Sequence, residues 1–255
     1  MGVGDNIMAT AWARQAKIEN PNAFVFLGDG RYCEWSEVFE NNPNVSHPKW
    51  LATAQAVGNA VFVPHYTGNR PYIRQKDSEN VEWNPEHRVV PGDIFLNEVE
   101  RQWATDNCGK DYILVEPHTK GTFGGNKGWL WDRWQELAKR LPLVQNDPMG
   151  KKALDGAKVL KADGIRKMLA MVANARLVIA TDSALHHAAV ALGVPAVVMW
   201  GARLHPSILG YESHVNLYTG DGENCGYCLP CKHCEDGMKR ITVDMVEDAA
   251  RRLLD

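Results

Sequence analysis

From residue 112 onward the chain alternates short apolar runs with stretches whose apolar residues recur every three or four positions. Residues 112–116 (YILVE) form such a run and lead into a polar, glycine-rich loop over 117–128. Residues 131–141 read as an amphipathic helix. Trp131, Trp134, Leu137, Ala138 and Leu141 form its apolar stripe, with Asp132, Arg133, Glu136 and Lys139 between them. A weak strand over 143–145 ends at the turn signal Asn146-Asp147-Pro148. Another apolar run covers 157–160, a helical pattern 164–174, and a strong strand 176–180 (RLVIA). A helix over 183–192 and a second strong strand over 194–200 (VPAVVMW) follow, and the last predicted helix is 243–254. Strands apolar on both faces that alternate with helices predict a parallel sheet covered on both sides.

The first hundred residues are less regular. The pattern predicts a helix over 6–17, strands over 23–27 and 60–64, and a helical turn over 35–39. Residues 69–93 are polar, contain prolines and have little periodicity, and 106–110 (DNCGK) has a linker's composition. These features divide the chain into a reduced N-terminal domain, 1–104, and a C-terminal α/β domain, 105–255.

Composition narrows the class. Of 255 residues, 45% are hydrophobic and 23% charged, as in a soluble globular protein. No apolar run approaches the roughly 20 residues of a membrane span. The N-terminal residues lack the basic segment and apolar run of a secretory signal, so a cytoplasmic location is expected. A net charge of -3 gives no global attraction to nucleic acid. A local basic groove is still compatible with it, from Arg70, Arg74, Lys76 and Arg88 with Tyr66 and Tyr72.

The densest chemistry lies in 180–201 (ATDSALHHAAVALGVPAVVMWG). A strand ends at Ala180, Thr181-Asp182-Ser183 opens a helix, and Asp182 or Ser183 suits its N-cap. Such a helix start at the carboxyl end of a parallel strand offers free N–H groups and a positive dipole end to phosphates. Small residues at Ser183 and Ala184 permit close approach. His186 and His187 are adjacent and face different ways, so one of them packs on or caps the helix.

This segment resembles the signature of glycosyltransferase family 9, the ADP-heptose:lipopolysaccharide heptosyltransferase family. Asp182, Ser183, His187, Ala188, Ala189, Leu192, Gly193, Pro195 and Gly201 match it, and Ala184 stands where the family has Gly. Asn126-Lys127-Gly128-Trp129 resembles the family's Lys-x-Trp stretch, and residues 225–246 its cysteine-containing tail. Residues 2–10 (GVGDNIMAT) are similar to its Gly-x-Gly-Asp-x-Leu-x-Ala-Thr opening. The resemblance implies a GT-B-like fold, with two Rossmann-like domains facing a cleft and the N-terminal one reduced. It implies inverting transfer of a hexosyl or heptosyl group from a nucleotide-diphospho-sugar, with no cofactor essential to the transfer. Asp5 is then the candidate catalytic base, the other reading being a helix cap. The candidate donor-binding residues are Gly4, Lys127, Thr181, Asp182, Ser183, Ala184, His187 and Gly201. Lys120, Glu116 and His118 are weaker candidates, and His186 is assigned to packing.

Cys225, Cys228, Cys231 and Cys234 fall at three-residue intervals. Four thiolates suit structural zinc, with His233 able to replace one; an ordered loop of free thiols is the equal alternative, and an iron–sulfur cluster the third. Three functions stay open: transfer to a glycan hydroxyl, transfer to a modified DNA base, or nucleotide binding without catalysis.

Overall fold

A computed structural model describes residues 2–66, 70–119, 125–147 and 150–255. The chain opens with α1 (Val3–Glu19), followed by β1 (Phe24–Leu27), α2 (Leu51–Ala56) and β2 (Ala60–Val63). Strands β1 and β2 pair in parallel as a two-stranded sheet. Two three-residue strands, β3 (Ile73–Gln75) and β4 (Val81–Trp83), form an antiparallel hairpin. Next come α3 (Glu98–Cys108), β5 (Ile113–Val115), α4 (Trp131–Arg140), β6 (Leu143–Asn146) and β7 (Lys158–Leu160). The chain then runs through α5 (Ile165–Asn174), β8 (Leu177–Thr181), α6 (Ala184–Ala191), β9 (Ala196–Trp200) and α7 (Pro206–Leu209). Strand β10 (Val215–Tyr218) and helices α8 (Lys232–Arg240) and α9 (Val243–Leu254) complete it.

Strands β10-β9-β8-β5-β6-β7 make one fully parallel six-stranded sheet. One apolar cluster joins Ile7, Val25 and Phe39 of the N-terminal half to Leu114, Val178 and Ala188 of the C-terminal half. The other face of the sheet is covered by a second cluster around Trp134, Leu137, Ile179 and Val246. The two halves therefore share a core.

Two expectations need correction. Helix α1 begins at Val3, not at residue 6, so Gly4 and Asp5 lie in its first turn. An acidic residue there faces the positive helix end, and Asp5 Oδ2 accepts the Gly2 N–H at 3.3 Å. The apparent linker is also helical: α3 runs through Cys108 and ends at Gly109, whose φ of +86° suits glycine. Glu100 of α3 accepts from Arg166 Nε of α5 at 2.6 Å, and Asn174 Nδ2 donates to Thr105 Oγ1 at 2.8 Å.

Candidate functional site

The strand order creates one special crevice. From β5 the chain winds outward to β6 and β7, then returns to β8 on the other side of β5 and proceeds to β9 and β10. The connections leaving β5 and β8 diverge, and ligands of open α/β sheets bind in such a switch-point crevice at the carboxyl ends of the strands. Lys127 lies on the β5 connection, in a 3-10 turn over Gly125–Lys127. Asp182 directly follows β8.

These two residues meet. Lys127 Nζ lies 2.5 Å from Asp182 Oδ2 and donates to the Asp182 carbonyl at 3.3 Å. Burial pushes the Asp182 carboxyl up, but the Lys127 charge, helped by His186 and Arg203, more than offsets this and holds it below its ordinary range. Thr181 is buried at the end of β8, and Ala184 is the first residue of α6.

Ser183 is the N-cap of α6, and its Oγ accepts the Leu185 N–H at 3.3 Å. His186 Nδ1 accepts the Ser183 N–H at 3.1 Å, and Nε2 donates to the Leu209 carbonyl at 3.3 Å. Both ring nitrogens are engaged in a neutral imidazole whose pKa burial lowers to about 4. His186 thus caps the helix.

His187 Nδ1 pairs with the Tyr211 hydroxyl at 2.7 Å, and burial pushes its pKa well below 6.5. Its ring packs against Gly4. A Cβ at Gly4 would stand 2.8 Å from His187 Cδ2 and 3.6 Å from Ala184 Cα, so glycine lets the first turns of α1 and α6 touch. That contact holds the first turn of α1, which carries Asp5, against the first turn of α6. Gly201 is also a close-packing position, where a Cβ would meet Met238 Sδ at 2.6 Å.

Asp5 has a partner that sequence reasoning missed. Its Oδ1 accepts the Tyr72 hydroxyl at 2.5 Å. Tyr72 stacks on Trp83, meets Tyr66 edge-on, and lies under the Arg70 guanidinium. The local sequence around 69–93 has no periodic signal, although the aromatic residues were visible.

Of the weaker candidates, Glu116 accepts from Asn146 Nδ2 at 2.9 Å, and His118 stacks on Trp131. Lys120 lies outside the described residues. Arg74 and Lys76 pair with Glu82 on the facing strand.

The cysteine run divides. Cys225 and Cys231 sulfurs lie 3.7 Å apart, and ligand atoms of Cys225, Cys234 and His233 fall within 4.8 Å of one another. Cys228 packs instead into the apolar core, and its N–H donates to Glu79 O at 2.7 Å. The loop also binds the hairpin: Trp83 Nε1 donates to Cys225 O at 2.9 Å and Val81 N to Gly226 O at 2.7 Å. Asn126, next to Lys127, donates to Tyr227 O and Leu229 O and accepts from Cys231 N. Asp182, His186 and His187 also lie within metal-ligand distance of one another, but Lys127, Ser183, Leu209 and Tyr211 already engage their donor atoms.

The fold and this switch-point site define a GT-B-like α/β protein. The model of glycosyltransferase family 9 (heptosyltransferase) matches residues 151–240. Lipopolysaccharide heptosyltransferase 1 of Pseudomonas aeruginosa is 28% identical over 152 residues, which cover 54% of this chain and 41% of that protein. The chain thus spans less than half the length of that relative. A glycosyl transferase family 9 structure from Veillonella parvula superposes with a TM-score of 0.66 at 17% identity, covering 100% of this chain and 95% of the other. The iron-containing dodecameric glycosyltransferase TibC of enterotoxigenic E. coli gives 0.64 at 15% identity, covering 99% and 73%. Among the described residues no helix is long and apolar enough to cross a membrane.

Proposed function

We propose that this chain is a glycosyltransferase that moves a sugar from a nucleotide-diphospho-sugar to an acceptor hydroxyl with inversion. The observation that carries the reading is the Lys127–Asp182 pair at the switch point, with the first turn of α1, which carries Asp5, held against the start of α6 by the Gly4–His187 contact. Asp5 takes the proton of the acceptor hydroxyl as its oxygen bonds the anomeric carbon. The bond from that carbon to the diphosphate breaks, and the charge on the leaving oxygen develops beside Lys127 and the start of α6. A TibC structure in complex with ADP-D-beta-D-heptose, similar in fold at a TM-score of 0.63, supports an ADP-linked donor as the first to test.

Calorimetry with ADP tests the donor site. Lys127→Ala is expected to weaken ADP binding by about 1–3 kcal/mol through loss of a charge-assisted contact. An unchanged affinity in a folded variant sinks the assignment.

We further infer that Cys225, Cys231, Cys234 and His233 hold one structural metal. Tetrahedral zinc with 2.3 Å bonds places its sulfurs about 3.8 Å apart, close to the 3.7 Å between Cys225 and Cys231. His233 Nε2 bonds Asp221 Oδ2 at 2.9 Å, which orients the ring and leaves Nδ1 as the ligand atom. The metal would fix the loop on which the hairpin and Asn126 rest. Elemental analysis is expected to find about one zinc or iron per chain. Chelation should make the half-buried Cys225 and Cys231 titrate quickly, with the buried Cys228 and Cys234 slow. Substoichiometric metal together with freely reactive Cys225 and Cys231 thiols before chelation leaves only an ordered thiol loop.

A further inference from the structure

Residues 225–231 hold two separate parts of the molecule in place. On one side the loop lies flush on β4. Val81 N donates to Gly226 O at 2.7 Å and Trp83 Nε1 to Cys225 O at 2.9 Å, and a Cβ at Gly226 would stand 2.4 Å from Val81 O. On the other side it carries the Gly125–Lys127 turn. Asn126 Nδ2 donates to Leu229 O at 2.7 Å, Asn126 Oδ1 accepts from Cys231 N at 3.0 Å, and a Cβ at Gly125 would meet Pro230 Cγ at 3.2 Å. The loop is therefore a joint. It links the hairpin, which Tyr72 enters directly after donating to Asp5, with the turn that ends in Lys127.

Both ends of this joint carry thiols. The Cys225 and Cys231 sulfurs lie 3.7 Å apart, and both side chains are half-buried, so a small oxidant reaches them. Cys228 and Cys234 are buried and shielded. Disulfide sulfurs stand about 2.0 Å apart, so a bond between Cys225 and Cys231 draws the ends of the loop together by up to about 1.7 Å. Those ends include the carbonyls of Cys225 and Gly226 and the N–H of Cys231, the groups that grip β4 and Asn126. Hydrogen bonds of 2.7–3.0 Å do not survive a displacement of that size unchanged.

We propose that Cys225 and Cys231 form a reversible oxidation switch, which a peroxide closes and which loosens the hairpin and the Lys127 turn together. Each thiol gives up its hydrogen, the two sulfurs bond, and the peroxide O–O bond breaks to leave two waters. Two electrons pass from the sulfurs to the peroxide. A dithiol reductant reopens the bond by thiol–disulfide exchange and is itself oxidised to a disulfide. Where the sulfurs hold the metal inferred above as thiolates, the two protons come from solvent, and the step withdraws two of the four ligands, so the ion leaves. The effect on nucleotide binding rests on the donor-site reading above. The bond and the loosening of the hairpin do not.

The test treats the whole chain with hydrogen peroxide and then with dithiothreitol. Peptide mass spectrometry should find Cys225 joined to Cys231 as the main product. Hydrogen exchange should quicken about tenfold over residues 79–83 and 225–231 while β8 and β9 keep their protection. ADP affinity by calorimetry should fall about 3- to 10-fold, and dithiothreitol should restore all three readouts. Cys225→Ser and Cys231→Ser, each compared with its own untreated state, should lose the response. Cys33→Ser removes the other half-buried thiol and should keep it. A different disulfide, or a Cys225–Cys231 bond that leaves exchange over 79–83 unchanged, overturns the proposal. So does a response that persists in Cys225→Ser or resists dithiothreitol, because it comes from peroxide damage elsewhere. If the reduced wild type binds no ADP, the donor-site reading falls, and the disulfide and the exchange over 79–83 still decide whether the switch exists.

Discussion

Asp5→Asn is expected to slow sugar transfer by about 10²–10⁴-fold while ADP affinity stays at the wild-type value. Asparagine keeps the shape of the side chain and can still accept the Tyr72 hydroxyl through its amide oxygen. It can also occupy the first turn of α1 without disturbing the Gly4–His187 contact. It cannot take a proton at neutral pH. The geometry makes the two roles of Asp5 separable, because Oδ2 serves the Gly2 N–H as a helix cap and Oδ1 faces Tyr72. If capping were its whole role, the Asn variant would transfer sugar normally and lose at most about 1 kcal/mol of stability. Tyr72→Phe sharpens the comparison. Removing its hydroxyl leaves the carboxylate free to rotate, so the turnover number should fall about tenfold with no change in ADP binding. Steady-state transfer and calorimetry on the same preparations decide both. Normal turnover in Asp5→Asn ends its assignment as the base.

How much of this was legible in the sequence follows from where each element finds its partners. The β8–α6–β9 unit was readable because its strands are buried on both faces and all five residues of each are apolar or nearly so. Lys127 and Asp182 were each singled out by the family resemblance, Asp182 at the end of a strong strand and Lys127 in the glycine-rich loop after 112–116, but nothing in the sequence paired them. Helix α1 was misplaced at its start because two glycines near Asp5 read as a turn. Its true register is set by packing, since it buries Asn6, Ile7, Met8, Ala9 and Thr10 in succession between the β1–β2 layer and α6. A helix enclosed on several sides shows no single apolar stripe.

The β3–β4 hairpin was invisible for a related reason. Its strands are three residues long and rich in Arg74, Gln75 and Glu82, and it is held by Cys225 and Gly226 well over a hundred residues away. Local pattern carries nothing about such a contact. Strand β10 is only partly buried along its whole length, and α8 is so highly charged that its apolar side, Cys234, Gly237 and Met238, was masked.

Acidification from pH 7 to pH 5 is expected to destabilise the fold steeply, because three histidines of one cluster are buried without charge. His186 lies tilted against His187 with ring centres 3.8 Å apart and edge-on to His214, with Tyr211 and Trp200 completing the cluster. Burial lowers the pKa of His186 and of His214 to about 4 and pushes that of His187 well below 6.5. Among the neighbouring charges, Lys127 opposes protonation of His186 and His187, and Asp182 favours it for His186 alone. The folded values lie below the unfolded value of about 6.5, so below that pH the unfolded chain binds protons that the folded chain refuses. Stability is therefore fully present above about pH 7 and falls as the pH drops toward 4, levelling off only below the folded values. Each group contributes at most about 1.4 kcal/mol per pH unit, so the three together approach about 4 kcal/mol per unit at the steepest point. That is a large share of the roughly 5–15 kcal/mol that stabilises a typical domain. Urea midpoints at pH 7.5, 6 and 5 measure the slope. His214→Phe should flatten it by about one third, because both ring nitrogens of His214 lack partners among the described residues and a phenyl ring cannot titrate. A midpoint that does not move between pH 7.5 and 5 would show that these imidazoles take up protons in the folded state, and the neutral, capping role of His186 would fall with it.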